Sequence, residues 1–199
     1  MKSMDLECLF DGLNSVELIE IGERGVFEIM LKLVKPSLEI EQSYIDYILE
    51  WENSAEKIVP YASRRDGLDF MKLLDRWEVE TTEDAFKKGF VPATLYFLVD
   101  ESMRILGAIH IRHILNDYLL SKGGHIGYGV RPSVRKKGYA TRMLSLALPI
   151  AKSIGINKVL ITCSKSNHAS AKTIINNGGV LENEVQEGEE VTQRYWINL

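Results

Sequence analysis

Cysteine is scarce in this chain of 199 residues: there are two, Cys8 and Cys163, and neither belongs to a Cys-x-x-Cys pair. That spacing excludes a disulfide framework and a cysteine-built metal site, and points to a reduced, cytoplasmic protein. No stretch approaches the run of about 18 apolar residues that a membrane-spanning helix needs. The N-terminus, MKSMDLECLFDG, meets acids early and lacks the basic start and apolar core of a signal peptide. The most telling absence is acidic. Residues 118–181 contain no Asp and no Glu, while ten of the chain's 24 cations lie there, leaving 14 against 28 acids elsewhere. An acid-free segment beside an acidic remainder is either a solvated basic surface or one anion-binding face. The net charge of −4 argues against general affinity for nucleic acid.

What is present is ordinary for a globular protein: 45% apolar and 26% charged residues. The length suits one domain with a full hydrophobic core, or two small ones. Ile29 to Val34 reads as a first strand bounded by Pro36. Ser37 is the expected N-cap of a helix in which Ile40, Tyr44, Tyr47, Ile48 and Trp51 fall at helical spacing. The acids of that helix form either a solvated face or a docking surface for a cationic substrate. Tyr61 to Gly67 reads as a loop. Further helices are expected over Leu68 to Val79, with Phe70, Leu73, Leu74 and Trp77 on one side, and over Thr82 to Lys88, stopped by Gly89. Thr94 to Val99 and Ile105 to Ile114 read as a hairpin, with Gly107 as a bulge. His110 and His113 face opposite sides of such a strand and make poor partners for one metal ion.

The chemistry-bearing stretch is residues 124–142, GHIGYGVRPSVRKKGYATR. His125 to Val130 alternates glycine with bulkier residues and reads as a strand that Pro132 ends. Its glycines, Gly127 and Gly129, mark either close approach of a ligand or plain close packing. Arg135-Lys136-Lys137-Gly138-Tyr139-Ala140 then leads into a helix carrying an apolar stripe from Ala140 to Ile154, in which Pro149 is expected to cause a kink or an early stop. A cationic turn at a helix start presents unpaired N–H groups and the positive end of the helix dipole, which suits an anion. Lys158 to Cys163 is expected to be a buried strand parallel to the preceding one, joined by a strand–helix–strand crossover. Ser170 to Asn177 reads as a short helix, and Val180 to Val185 with Thr192 to Asn198 as a closing hairpin.

The spacing Arg-x-x-Gly-x-Ala at Arg135, Gly138 and Ala140 resembles the acetyl-CoA-binding signature of the GCN5-related N-acetyltransferase (GNAT) superfamily. Val130-Arg131-Pro132 before it and Asn167-His168-Ala169-Ser170 after it sit where bacterial-type members of that family place them. The resemblance spans residues 30–198 and is strongest over 95–198. It implies one acyl-CoA-binding domain over residues 30–199, with 1–29 as an N-terminal extension. The implied fold is mixed α/β (α+β): a central, mostly antiparallel twisted sheet with a parallel splayed strand pair and flanking helices. The implied co-substrate is acetyl-CoA, with no metal. Its binding residues would be Gly129, Val130, Arg135, Lys136, Lys137, Gly138, Tyr139, Ala140, Thr141, Asn167 and Ser170. Trp51, Tyr61, Phe70 and Trp77 line the acceptor cleft in this reading, or are simply core. The implied partner is a small-molecule or peptide amine, with a homodimer left open and neither nucleic acid nor membrane expected.

Acetyl transfer to an amine requires a neutral nucleophile, a stabilised thioester oxygen and a protonated leaving thiolate. Many family members donate that last proton from a tyrosine on the final helix, a position that falls here at about Ile174. With no acid in 118–181, the key strand offers no glutamate base. Tyr128 and His125 are the titratable candidates that remain, with Cys163 a third. Two readings follow: a coenzyme A-dependent N-acetyltransferase working by direct transfer, or a catalytically inactive acyl-CoA-binding or sensing domain. Turnover of acetyl-CoA with any amine separates them. A nucleotide-binding P-loop protein is disfavoured because the Gly-Lys-Ser/Thr element is missing. The acidic segments around 38–56 and 75–84 hint at a cationic acceptor such as a polyamine, an aminoglycoside or a peptide N-terminus.

Overall fold

All seven residues of ATLYFLV, Ala93 to Val99, are buried. A strand so uniformly apolar must be covered on both faces, since a half-exposed one would alternate. The computed structural model, which describes residues 30–199, shows what covers it. This strand, β2, lies inside a four-stranded sheet of β1 (Lys32–Val34), β2 (Ala93–Val99), β3 (Ile105–Arg112) and β4 (Ile126–Val130), antiparallel throughout and in that order. Leu95, Phe97 and Val99 pack on one side against α1 (Glu41–Asn53) and α2 (Phe70–Glu80). Tyr96 and Leu98 pack on the other with Met143, Leu144 and Ala147 of α3 (Tyr139–Ser153) and Ile174 of α4 (His168–Asn176). A second antiparallel sheet, of order β5 (Lys158–Ser164), β7 (Glu190–Asn198), β6 (Val180–Glu187), continues beyond β4. The mixed, mostly antiparallel architecture is the one the resemblance implied. Cys8, Ile29 and the rest of the 1–29 extension lie outside the described residues.

The α1 stripe behaves as its spacing requires: Ile40, Tyr44, Tyr47, Ile48 and Trp51 are all buried. Tyr44 sits edge-on to Trp77 and Phe97, so the aromatics of α1, α2 and β2 form one cluster. Trp51, Phe70 and Trp77 are therefore core, and of the four aromatics expected at a cleft only Tyr61 is exposed. Ser37 does not cap with its side chain; a 3-10 turn over Leu38–Ile40 feeds α1 instead. Asp69 caps α2 by accepting the Lys72 N–H at 2.9 Å. The segment expected as a third helix is a 3-10 turn, Glu83–Lys88, ended by Gly89 at φ 78°. Pro149 does not stop α3, which runs on to Ser153. It stands on the solvent side, where water reaches the carbonyl it cannot bond. The β-bulge falls beside Gly107: Leu98 faces Gly107 and Val99 faces Ile105, so Leu106 is the extra residue. Gly107 is required by packing, because a Cβ there would stand 2.7 Å from the Gly129 carbonyl oxygen on β4.

Several acids in and just after α1 are engaged by arginines, while Glu41 stays on the solvated face. Arg131, at the end of β4, is 2% exposed in its side chain and is shared between Glu50 and Asp46, with its Nε 2.7 Å from Glu50 and an Nη 2.9 Å from Asp46. The same guanidinium donates to the Ile105 carbonyl at 3.0 Å. Glu50 also accepts the Ser133 N–H at 2.7 Å. Glu52 pairs with Arg65, and Glu56 with Arg135. Burial alone would raise the Glu50 pKa, but the hydrogen bonds from Arg131 and Ser133 outweigh it and hold the carboxyl below its ordinary range.

Arg131→Met is expected to cost about 3 kcal/mol, because it strands Glu50 without its cation. The urea midpoint should fall at unchanged slope. Glu50 has a depressed pKa in the folded state, so its contribution is full above the unfolded value and lost as pH falls through the folded one. The acid limb of the stability profile should therefore flatten in the variant.

Candidate functional site

The two sheets meet at one point. The His125 N–H donates to the Leu160 carbonyl at 2.7 Å, and the Leu160 N–H donates back to the His125 ring Nδ1 at 2.9 Å. Here an imidazole takes the place of a backbone acceptor, so the ladder cannot continue in regular form. Beyond this pin β4 and β5 belong to different sheets. The Arg131 N–H bonds to the Leu106 carbonyl, so by strand alternation Gly127 and Gly129 spend their backbone groups on β3. Tyr128 and Val130 direct theirs into the gap on the β5 side. The sequence reading placed Gly129 and Val130 together at this edge, and the alternation divides them.

Of the two glycines of β4, packing on the opposite face demands only Gly129. A Cβ on Gly129 would lie 2.3 Å from the Val59 carbonyl, and one on Gly127 would touch Arg112 and Pro60. On the gap side, the Tyr128 hydroxyl bonds the Ser170 Oγ at 2.9 Å, bridging β4 to the first turn of α4. Burial pushes the Tyr128 phenol up to about 12, against the pull of its bonds to Ser170 and Thr173. Cys163 lies close by, its thiol raised by burial. A phenol held protonated beside a gap can donate a proton but cannot act as a base at neutral pH.

Past β4 the chain turns through Pro132–Val134 and enters α3. Two residues of this turn adopt left-handed backbone, Lys136 at φ 63° and Gly138 at φ 82°. Gly138 is needed for that φ, and the space where its Cβ would stand is open. The first intrahelical bond of α3 runs from the Arg142 N–H to the Gly138 carbonyl at 3.1 Å. The N–H groups of Tyr139, Ala140 and Thr141 therefore have no carbonyl within the helix to meet. Lys136 and Lys137 are exposed and make no ion pair among the described residues. Backbone donors, helix dipole and two free cations thus converge at one turn, which can hold a phosphate.

Three expected site residues are engaged elsewhere. Arg135 does not reach into the anion site with its side chain. It donates to the Val130 carbonyl at 3.1 Å and to Glu56 at 2.9 Å, and lies over the Trp51 ring at 5.0 Å. It clamps the turn to α1. His125 is spent on Leu160 and is no catalytic base; burial together with the charge of Arg112 lowers its pKa to about 4. Asn167 caps α4, its carbonyl oxygen accepting the Ser170 N–H at 3.1 Å, which leaves its amide nitrogen free to donate. Ile174 is fully buried, as a non-donating residue at that position must be.

The sequence reading missed a cavity of about 580 Å³ beside the C-terminal end of β3, lined among others by Tyr61, Glu80, His110, Arg112 and Tyr118. The alternation of His110 and Arg112 on one strand face was the available clue.

A family model described as an acetyltransferase (GNAT) domain matches residues 40–180. No curated protein matches the chain in sequence. Among solved structures, the ribosomal-protein-S5-alanine acetyltransferase from Vibrio fischeri superposes with a TM-score of 0.61 at 16% identity, covering 92% of this chain and 96% of that one. The ribosomal L7/L12 α-N-protein acetyltransferase RimL, in complex with coenzyme A, gives 0.59 at 15% identity over 86% of this chain and 98% of its own. The microcin C7 self-immunity acetyltransferase MccE, bound to acetyl-CoA and AMP, gives 0.58 at 17% identity over 85% and 92%. Likeness at these identities speaks for the fold.

His125→Ala is expected to strand the buried Leu160 N–H and cost about 1–3 kcal/mol. The folded state keeps His125 neutral, with a pKa of about 4 against an ordinary 6.5. The unfolded chain therefore binds more protons between these values, and stability falls as pH drops from 6.5 toward 4. Thermal melts across that window should show a shallower fall in the variant.

Proposed function

Because the chain belongs to the GNAT acetyltransferase family, we propose that it moves the acetyl group of acetyl-CoA directly onto a primary amine. The observation that carries this reading is the continuity of two features. An unpaired β4 edge opens toward β5, and it leads straight into a turn whose free donors converge on an anion. Of the three structures named above, one is bound to coenzyme A and one to acetyl-CoA. The residues present fit such a co-substrate: the turn is open above Gly138, and the cations beside it are free.

In this reading Lys136, Lys137 and the N–H groups of Tyr139, Ala140 and Thr141 hold the diphosphate. The gap-facing backbone of Tyr128 and Val130 bonds the pantetheine amides as an added strand would, with the Asn167 amide nitrogen as a further donor. The Tyr128 N–H, the gap-facing donor farther from the phosphate turn, polarises the thioester carbonyl. The amine nitrogen bonds to the carbonyl carbon as the carbon–sulfur bond breaks. Tyr128, kept protonated by burial and oriented by Ser170, gives its proton to the departing sulfur. The proton that leaves the amine passes to solvent and returns to the phenolate. Since Tyr128 sits on β4, it performs from the neighbouring strand the task that Ile174 cannot perform from α4.

Calorimetric titration with acetyl-CoA should show micromolar binding that Gly138→Glu abolishes, since the variant puts a side chain at φ 82° and an anion where one must bind. Absence of binding by the unaltered protein would refute the reading. Tyr128→Phe should lower kcat by about a hundredfold with little change in KM. Unchanged kcat would remove the phenol from the mechanism.

A further inference from the structure

The cavity beside the C-terminal end of β3 carries one unmet polar atom, on His110, and an arginine with no acid beside it among the described residues. His110 and Arg112 lie two apart on β3 and so share one face. The His110 Nε2 is buried with no hydrogen-bond partner. Arg112 gives one nitrogen to the Gly123 and Gly124 carbonyls, both at 3.0 Å. It makes no ion pair among the described residues, although the side chains of Arg76, Arg131 and Arg194, which are as enclosed or nearly so, each meet an acid. Burial lowers its pKa. Glu80, in the same cavity, lies at the other end beside Arg76, with 3.8 Å between them. An enclosed guanidinium with no acid beside it is costly, and an anion that reached it would relieve that cost.

The position is as informative as the charge. A Cβ on Gly127 would stand 3.7 Å from an Arg112 Nη. The cation therefore lies over the middle of β4, the strand whose other edge opens on the gap. The cavity's remaining wall is aromatic: Tyr61, Phe90 and Tyr118 are each half exposed or more.

We propose that this cavity takes the acetyl acceptor, and that the acceptor is an α-amino acid with an apolar or aromatic side chain. The proposal rests on the acetyl-transfer reading above. Arg112 binds the carboxylate with the donors its backbone contacts leave free. The amine, one carbon away, then stands over Gly127 beside the thioester. The neutral His110 ring accepts a hydrogen bond from the amine's N–H, and the side chain lies among Tyr61, Phe90 and Tyr118. In the transfer, nitrogen gains a bond to the acetyl carbon and loses one proton, while sulfur loses that carbon and gains one. A polyamine or a protein N-terminus brings no carboxylate to Arg112, so both are poor acceptors.

The test measures thiol release from acetyl-CoA with L-phenylalanine, L-leucine and L-methionine, each beside its carboxamide. The free acids should exceed their carboxamides by about tenfold or more in kcat/KM, the scale of one charge-assisted hydrogen bond. Arg112→Gln should erase that preference by slowing the acids alone, and Arg112→Lys should restore part of it. A merely structural arginine would lower both series together. Equal use of acids and carboxamides overturns the proposal, as does failure to acetylate either series by a protein that binds acetyl-CoA. Failure to bind acetyl-CoA is a separate calorimetric result, and it would overturn the acetyl-transfer reading as well. If Arg112→Gln does not fold, acid against carboxamide on the unaltered protein decides the matter.

Discussion

The pin between His125 and Leu160 is the constraint on which the rest of the molecule depends. A sheet grows by pairing each new strand along its full edge, and β4 and β5 are placed to do so. Pairing is instead confined to one residue on each strand, and at that residue a side-chain nitrogen takes a backbone carbonyl's place. An open strand edge inside a protein is a cost that folding normally removes. Keeping it leaves the donors and acceptors of Tyr128 and Val130 available to a ligand that can pair as a strand does. The two sheets are thus joined at this pin, with the gap left open between β4 and β5.

The charges are arranged around the same need. The N-terminal half supplies acids, the C-terminal half supplies arginines, and the fold brings them together. Glu50 and Asp46 close on Arg131, and Glu56 on Arg135. These pairs fasten α1 to the turn that follows β4 and hold it in shape. Lys136 and Lys137, which make no ion pair among the described residues, stand beside the unpaired donors at the start of α3. Arg112 is the exception on the other face: it is enclosed, without an acid, and directed at a cavity. The acid-free segment thus divides its cations between holding the chain and receiving a ligand.

Several site residues were legible in the sequence, and their roles were less so. Gly138 is recognisable because a strand, a cationic turn and an apolar helix leave one place for a left-handed residue. Tyr128 and Ser170 were both singled out, but the bond between them joins residues 42 apart and could not be read from either. Arg135 carries the family spacing and still turns away to Glu56, because the acid that claims it lies far off in the chain. His125 was chosen as a titratable group beside the strand; its partner, Leu160, is apolar and offered no clue. Asn167 and Ser170 are adjacent enough that the helix cap between them follows from local geometry.

What the sequence determined by itself was local and periodic: the α1 stripe, the buried run of β2, the helix after Gly138, and the stop at Gly89. Each depends on steric and solvation preferences that act within a few residues, so the order of residues suffices. It also carried the family spacing, and with it the expected fold. Only the tertiary structure decided which charges are consumed and which remain, where β4 parts from β5, and that His110 and Arg112 share a cavity with Glu80. Those outcomes are long-range. Electrostatic pairing and cavity formation depend on which surfaces meet, and the sequence lists those surfaces without saying which of them touch.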